Sequence, residues 1–233
     1  ILGAFSLCLG QTESDASRLS DLGAPNAKSV GNLKFSAPPL PANKQAMEKL
    51  ASLIGQRPCW LASSTHKGEE KIVGRIHKTI KDKRPEFLSI IVPRHPGRGM
   101  EIAETLEAMG LTVALRSTKG ELNPTTDIYI ADTIGELGLF YRITSIVYIG
   151  KSLVPLGGQN PLEAARLDCA IVFGPHMDNF EEIAAKFTKK NACVEIADEA
   201  DLLSTITRLL ETPEDCSQLA SAARQVAHEQ SSV

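Results

Sequence analysis

The chain has 233 residues, 42% of them hydrophobic and 23% charged, with a formal net charge of −3. That balance suits one large domain, or a domain with part of a second, around a core of ordinary size. There is no global basic field to draw nucleic acid or an anionic membrane, so any anion site must be local.

The five cysteines, Cys8, Cys59, Cys169, Cys193 and Cys216, are odd in number, scattered and without a CxxC pair. They argue against a disulfide framework and a structural zinc, and suit a reducing compartment. No apolar run approaches the ~18 residues of a membrane span, and residues 1–10 lack the basic n-region and small-x-small site of a signal peptide. The chain starts without Met inside an apolar segment and ends on Glu229-Gln230-Ser231-Ser232-Val233 in a helical pattern. Both ends read as cut, and a fragment of a longer protein is expected.

Ala4–Leu9 reads as a short strand, and Glu13–Leu22 as a helix stopped by Gly23-Ala24-Pro25. Ser29–Phe35 reads as extended. Ser36-Ala37-Pro38-Pro39-Leu40-Pro41 is the proline-rich linker candidate, which predicts a first domain over 1–36 and a second over 37–233. Beyond it, short apolar runs alternate with amphipathic stretches. The runs are Cys59–Ala62, Leu88–Val92, Thr112–Leu115, Ile128–Ala131, Ile146–Ile149, Ala170–Phe173 and Ala192–Ile196. The helical stretches are 43–54, 69–82, 98–109, 135–143, 161–167, 180–188, 198–210 and 213–229. Nearly all-apolar strands alternating with helices predict an α/β fold with a doubly wound, Rossmann-like parallel sheet covered on both faces. No internal repeat of 20–50 residues is present. Open sheets of this kind bind ligands beyond the carboxyl ends of their strands, so the loops there are the candidate site.

Five such loops stand out. Ser63-Ser64-Thr65-His66-Lys67-Gly68 opens a helix and reads as an anion cradle through Ser64, Thr65 and His66. Capping-box spacing fails there, since Thr65 is followed by Gly68 and Ser64 by Lys67, which leaves plain N-capping by the hydroxyls as the structural alternative. Pro93-Arg94-His95-Pro96-Gly97-Arg98 sets three potential cations at a strand end, and an arginine fork suits phosphate; the bland reading is a solvated basic turn. In Asp132-Thr133-Ile134-Gly135-Glu136, Gly135 permits close backbone approach, while Thr133 and Glu136 have capping-box spacing. In Gly157-Gly158-Gln159-Asn160-Pro161-Leu162-Glu163, Asn160 suits N-cap, Pro161 N1 and Glu163 N3. The glycine pair allows a tight turn with exposed N–H groups, and Glu163 could hold two ribose hydroxyls. Gly174-Pro175-His176-Met177-Asp178-Asn179 reads as a loop lining the cleft, with His176 and Asn179 as candidates. His176 and Asp178 lack a third ligand at recognisable spacing, and no metal is expected. Neither a Ser-His-Asp set nor a P-loop nor a GxGxxG fingerprint occurs. The residues by themselves lead as far as nucleotide recognition on a doubly wound domain.

In this order the loops resemble those of the 3-deoxy-D-manno-octulosonic acid (Kdo) transferases of Gram-negative bacteria. The stretches are VGNLKF (30–35), STHKGEE (64–70), PRHPGR (93–98), ADTIGELGLFY (131–141), GKSLVPLGGQNPLEAARL (150–167) and FGPHMDNF (173–180). The resemblance implies the two-domain GT-B glycosyltransferase architecture. This chain would be its C-terminal donor half, with residues 1–36 a remnant of the acceptor domain. It implies metal-independent, inverting transfer of Kdo from CMP-Kdo to a lipid A precursor at the cytoplasmic face of the inner membrane. The base, a glutamate, and the membrane contact belong to the missing N-terminal region, so the chain alone is expected to be inactive. Pro93, Arg94 and His95 would hold the CMP phosphate; Ile134, Gly135 and Glu136 would present backbone groups to the nucleotide; Asn160, Pro161, Leu162 and Glu163 would cover phosphate and ribose. Many members have Met where Ile134 stands and His where Gln159 stands, which leaves the role of Gln159 open. The alternatives are a UDP-sugar transferase or epimerase of the same fold, and a non-catalytic α/β nucleotide-binding module.

Overall fold

A computed structural model describes residues 1–31, 38–118 and 122–230. The chain divides into two compact units, Ile1–Pro38 with Ala227–Val233, and Pro39–Val226.

In the first unit, β1 (Cys8–Gly10) and β2 (Ala27–Ser29) pair in parallel around α1 (Glu13–Asp21). Thr12 and Asp15 close a full capping box at the start of α1. The strand expected over Ala4–Leu9 is displaced. Residues Leu2–Ala4 form a 3₁₀ turn, tightened by Ala4 N–H to Ile1 O and Phe5 N–H to Leu2 O, and only Cys8–Gly10 finds a partner strand. Of the expected extended segment Ser29–Phe35, residues 32–35 lie outside the described residues, as does the 36/37 boundary.

The second unit is built from α2 (Lys44–Ile54), β3 (Cys59–Thr65), α3 (Glu69–Lys81), β4 (Leu88–Pro93), α4 (Gly99–Glu107), β5 (Val113–Leu115), β6 (Ile128–Ile130), α5 (Leu137–Ile143), β7 (Ile146–Ile149), α6 (Leu162–Ala165), β8 (Ala170–Phe173), α7 (Glu181–Lys189), β9 (Val194–Glu195) and α8 (Glu199–Glu211), followed by α9 (Pro213–Glu229). Seven strands, every ladder parallel, form one sheet in the order β5-β6-β4-β3-β7-β8-β9. This is the doubly wound α/β arrangement expected from the apolar runs.

Successive strand residues point to opposite faces. Trp60, Ala62, Ile91, Ile128, Ile130, Tyr148 and Val172 pack on one face against Val73, Ile76 and Ile80 of α3, Ile102 and Leu106 of α4, and Leu202 and Ile206 of α8. On the other face Ser63 bonds the Tyr141 hydroxyl of α5 at 2.7 Å; α5 packs against α2 and against the segment leading into it, where a Cβ on Gly138 would meet the Pro41 carbonyl at 2.5 Å.

From β3 the chain steps outward to β4, passes to the edge strand β5 and returns to β6 between them; from β7 it steps outward the other way through β8 to β9. The order therefore reverses between β3 and β7, and the carboxyl ends of these two strands flank the topological switch point where open α/β sheets bind ligands.

Candidate functional site at the switch point

Three strand ends are drawn together by backbone bonds. Arg94 N–H donates to Thr65 O at 3.0 Å, and Gly150 N–H donates to Ser63 O at 2.7 Å. A side chain at Gly150 would strike the Ser64 carbonyl at 2.6 Å, so only glycine lets β7 end this close to β3. The β3 ladder shifts register between Ser63 and Thr65, where Ser64 takes φ +55°.

Two adjacent carboxylates at the start of α3 lock the loops. Glu69, 1% exposed, accepts from His66 N–H (2.9 Å) and Lys151 N–H (2.7 Å) on one oxygen; Tyr148 hydroxyl (2.5 Å) and Leu153 N–H (3.3 Å) donate to the other. Glu70, 3% exposed, accepts from the Thr65 hydroxyl (3.1 Å) and from Arg98 (2.7 Å), which ties the 93–98 loop to the end of β3. Burial raises the Tyr148 phenol far above its ordinary range, and the neighbouring Glu69 charge adds to that, so the hydroxyl keeps the proton it donates.

On this frame sits a cluster of cationic and imidazole groups. His66 and His95 meet edge to face, with ring centroids 5.6 Å apart. Burial lowers the His66 pKa, and the Lys151 and His95 charges lower it further. The Gln159 amide nitrogen lies 3.5 Å from His66 Nε2. Arg94 is exposed, and its guanidinium has no ion-pair partner among the described residues. Lys151, at φ +65°, follows β7, and its carbonyl accepts from Gly158 N–H at 2.9 Å.

The glycine-rich bend is shaped by the loop beside it. Gly157 and Gly158 have φ of +91° and +71° and are buried. A Cβ on Gly157 would meet Asn179 Nδ2 at 2.5 Å, and one on Gly158 would meet Met177 Sδ at 2.4 Å. Asn179 N–H also donates to Gly157 O. Next in the chain, Asn160 Oδ1 accepts from Leu162 N–H at 3.0 Å and Pro161 is already helical at φ −78°, ψ −18°. Glu163 does not fold back to complete a capping box; it is half-buried, and burial raises its pKa against the opposing charges of Arg166 and Arg94.

Across the cluster the 132–136 turn is fixed from β5. Arg116 grips Glu136 through two nitrogens and lies 5.6 Å above the Phe140 ring, Thr133 bonds the same carboxylate, and Ser117 N–H bonds Asp132 at 2.8 Å. The turn thus offers outward only Ile134, 87% exposed, and Gly135 at φ +83°.

A cluster of unpaired cations at a switch point, beside a half-buried carboxylate, suits a nucleotide's phosphate and ribose. Comparisons with known proteins point to one family. The chain is 35% identical over 210 residues, 90% of its length, to the 3-deoxy-D-manno-octulosonic acid transferase of Rickettsia felis. It is 34% identical over 229 residues to that of Haemophilus influenzae. The crystal structure of the C-terminal CMP-Kdo binding domain of WaaA from Acinetobacter baumannii matches 84% of this chain and 98% of its own, at 28% identity and a TM-score of 0.74. The chain is a homologue of Kdo transferases. It spans about half the length of the curated relatives it matches, 45% and 53% of these two. No protein-family model matches it.

In this Kdo-transferase homologue the structure brings His66, Pro93, Arg94, His95, Gln159 and Glu163 to one side of the switch point, with Gly157, Gly158, His176 and Asn179 in the adjoining loops. Three expectations change. First, the Ser64 and Thr65 hydroxyls do not cap α3: its N-cap is Gly68 without a side-chain bond, and Thr65 is fully buried against Glu70. The capping pair is instead His66 N–H with Glu69, three residues on. Second, the glycine pair yields its space to Met177 and Asn179, so it shapes the loop packing rather than leaving room for a phosphate. Third, the helix expected over 161–167 is a single turn, 162–165, ended by a reversal at Asp168 with φ +60°. One turn has little dipole, so charge for an anion must come from side chains. The Glu136 side chain is taken up by Arg116, which leaves its backbone for a ligand.

Glu69, Glu70, Lys151 and Arg116 also build the site, which the loop motifs alone do not show. The doubled glutamate of the 64–70 stretch is the visible signal for the first two. A cavity of about 540 Å³ between the 174–178 loop and α7 is lined by Asp178, Glu181 and Glu195 with Lys189; its acidic lining suits an anion poorly. Among the described residues no helix is long and apolar enough to cross a membrane.

Proposed function

We propose that the chain supplies the donor site of a Kdo transferase. CMP-Kdo binds over the switch point, and the full protein transfers Kdo to a lipid A precursor at the cytoplasmic face of the inner membrane in lipopolysaccharide synthesis. What chiefly supports this reading is the 28% identical match to a CMP-Kdo binding domain over nearly its whole length. The unpaired guanidinium of Arg94 beside His66 and His95 supports it independently.

CMP is the leaving group, so negative charge grows on its phosphate in the transition state. Arg94, with His95 beside it, stabilises that charge, and cations already held in place need no reorganisation during the reaction. The chemistry needs no metal when side-chain cations fill this role. Ile134 and Gly135 present backbone to the nucleotide, and Glu163, turned away from its helix start, accepts the ribose hydroxyls. The base for the acceptor hydroxyl is assigned to the half of the longer relatives that this chain does not span, with residues 1–36 a remnant of that acceptor half. The chain alone therefore transfers no sugar.

Calorimetry is expected to show CMP binding with preference over UMP, and Arg94→Ala weakens it about 10- to 100-fold, the worth of one charge-assisted hydrogen bond. No CMP binding at millimolar concentration, or a preference for UDP, sinks the reading. Glu163→Ala is expected to narrow the preference for CMP over dCMP by about tenfold, since only the ribonucleotide has the 2′-hydroxyl that Glu163 accepts. An unchanged ratio removes Glu163 from the ribose.

A further inference from the structure

Lys151 is one of four non-glycine residues with positive φ among those described, at +65°, in a region that suits glycine. Both its backbone groups are pinned. Its N–H shares one Glu69 oxygen with His66 N–H, and its carbonyl receives Gly158 N–H. His66, Glu69, Lys151, Gly158 and Gln159 thus close a ring, since the Gln159 amide reaches back to His66. The ring sits at the carboxyl ends of β3 and β7, on the switch point itself. The Lys151 ammonium has no ion-pair partner among the described residues, yet its charge is felt at His66. An unfavourable backbone conformation held by surrounding bonds, with an unpaired cation within electrostatic reach of His66, is the form functional strain takes.

We propose that Lys151 is a phosphate contact of this site, opposite Arg94, and that it sets the preference for a nucleotide over a nucleoside. The assignment rests on the donor-site reading above. Arg94 arrives from β4 and Lys151 from β7, so a phosphate over the switch point lies between two cations from different strands. The single-turn α6 has too little dipole to supply the second positive charge, and Lys151 supplies it. As a compact ammonium it acts as a point charge where Arg94 acts as a fork.

The test is calorimetry of the full chain with CMP, cytidine and UDP, for wild type, Lys151→Gly and Lys151→Arg. Glycine suits φ +65°, so Lys151→Gly is expected to melt within a few degrees of wild type while losing about tenfold in CMP affinity, with cytidine affinity unchanged. Lys151→Arg retains most of the CMP affinity, and rising salt weakens CMP binding less in Lys151→Gly than in wild type. Equal CMP affinity in wild type and Lys151→Gly overturns the assignment and leaves the CMP reading standing. Parallel loss of CMP and cytidine binding makes the residue a loop-shaping one and also overturns it. Binding of UDP but not CMP, weakened by Lys151→Gly, overturns the CMP reading and keeps the phosphate contact; binding of neither overturns both.

Discussion

Glu69→Ala is expected to destabilise the second unit by about 3–5 kcal/mol, because four donors lose their acceptor inside the protein. The Tyr148 hydroxyl and the N–H groups of His66, Lys151 and Leu153 all converge on this carboxylate, which is 1% exposed. The single tryptophan, Trp60, is fully buried in the same unit, so urea unfolding followed by its fluorescence reads the loss directly. Glu69→Gln separates acceptor number from packing. It preserves shape but turns one oxygen into a donor that faces at least one N–H, so it too is expected to lose more than about 2 kcal/mol. Wild-type stability in Glu69→Gln would show that the carboxylate is not the hub. Since His66 and Lys151 hang from the same oxygen, CMP binding in either variant should weaken along with stability.

Acid is expected to weaken the fold through a histidine at the opposite end of the sheet. His77 is completely buried and stacks on Phe87 at 5.2 Å. Trp60 Nε1 donates to Ser89 Oγ at 2.7 Å, and the same hydroxyl bonds His77 Nδ1 at 3.0 Å. His77 Nε2 faces Asp127 at 3.4 Å. Burial is the main cause that pushes its pKa from 6.5 down to about 4; Asp127 opposes the shift, and Lys81 and Arg57 add to it.

A folded-state pKa below the unfolded one means the unfolded chain binds more protons between the two values. The stabilisation is complete above pH 6.5 and is lost as pH falls towards about 4. Its size is on the order of 3 kcal/mol, from about 1.4 kcal/mol per unit. His77→Gln, which keeps both a donor and an acceptor, should remove this part of the acid sensitivity. The falling pKa of buried His66 and the raised pKa of Glu163 act in both proteins and cancel in the comparison. Identical pH profiles for wild type and His77→Gln would contradict the assignment.

Much of the sheet is legible along the chain. Ile146–Ile149 and Ala170–Phe173 are strands at the bounds that the apolar runs predict, and 213–229 is one helix. These segments are buried on both faces or amphipathic along one, so local composition reports their environment. Boundaries fail where partners decide them. Residues Ser63–Thr65 look like a capping hydroxyl run but stay in β3, because Thr65 pairs with Pro93 and its hydroxyl finds Glu70. The apolar stretch Ala4–Leu9 yields strand only where Ala27–Ser29 lies alongside.

By itself, then, the sequence determined a parallel α/β sheet and pointed to the strand-end loops, with Arg94, His95 and Glu163 as candidates for a nucleotide. Each follows from the side chain's own chemistry or from periodicity that short-range contacts impose. Only the tertiary structure decided that β3 and β7 are neighbours, that Glu69 binds residues 82 and more positions away, and that Lys151 is held in a glycine-like conformation over the crevice. Those depend on which strands meet, and pairings between strands so distant in sequence leave no local pattern in the amino acids they join.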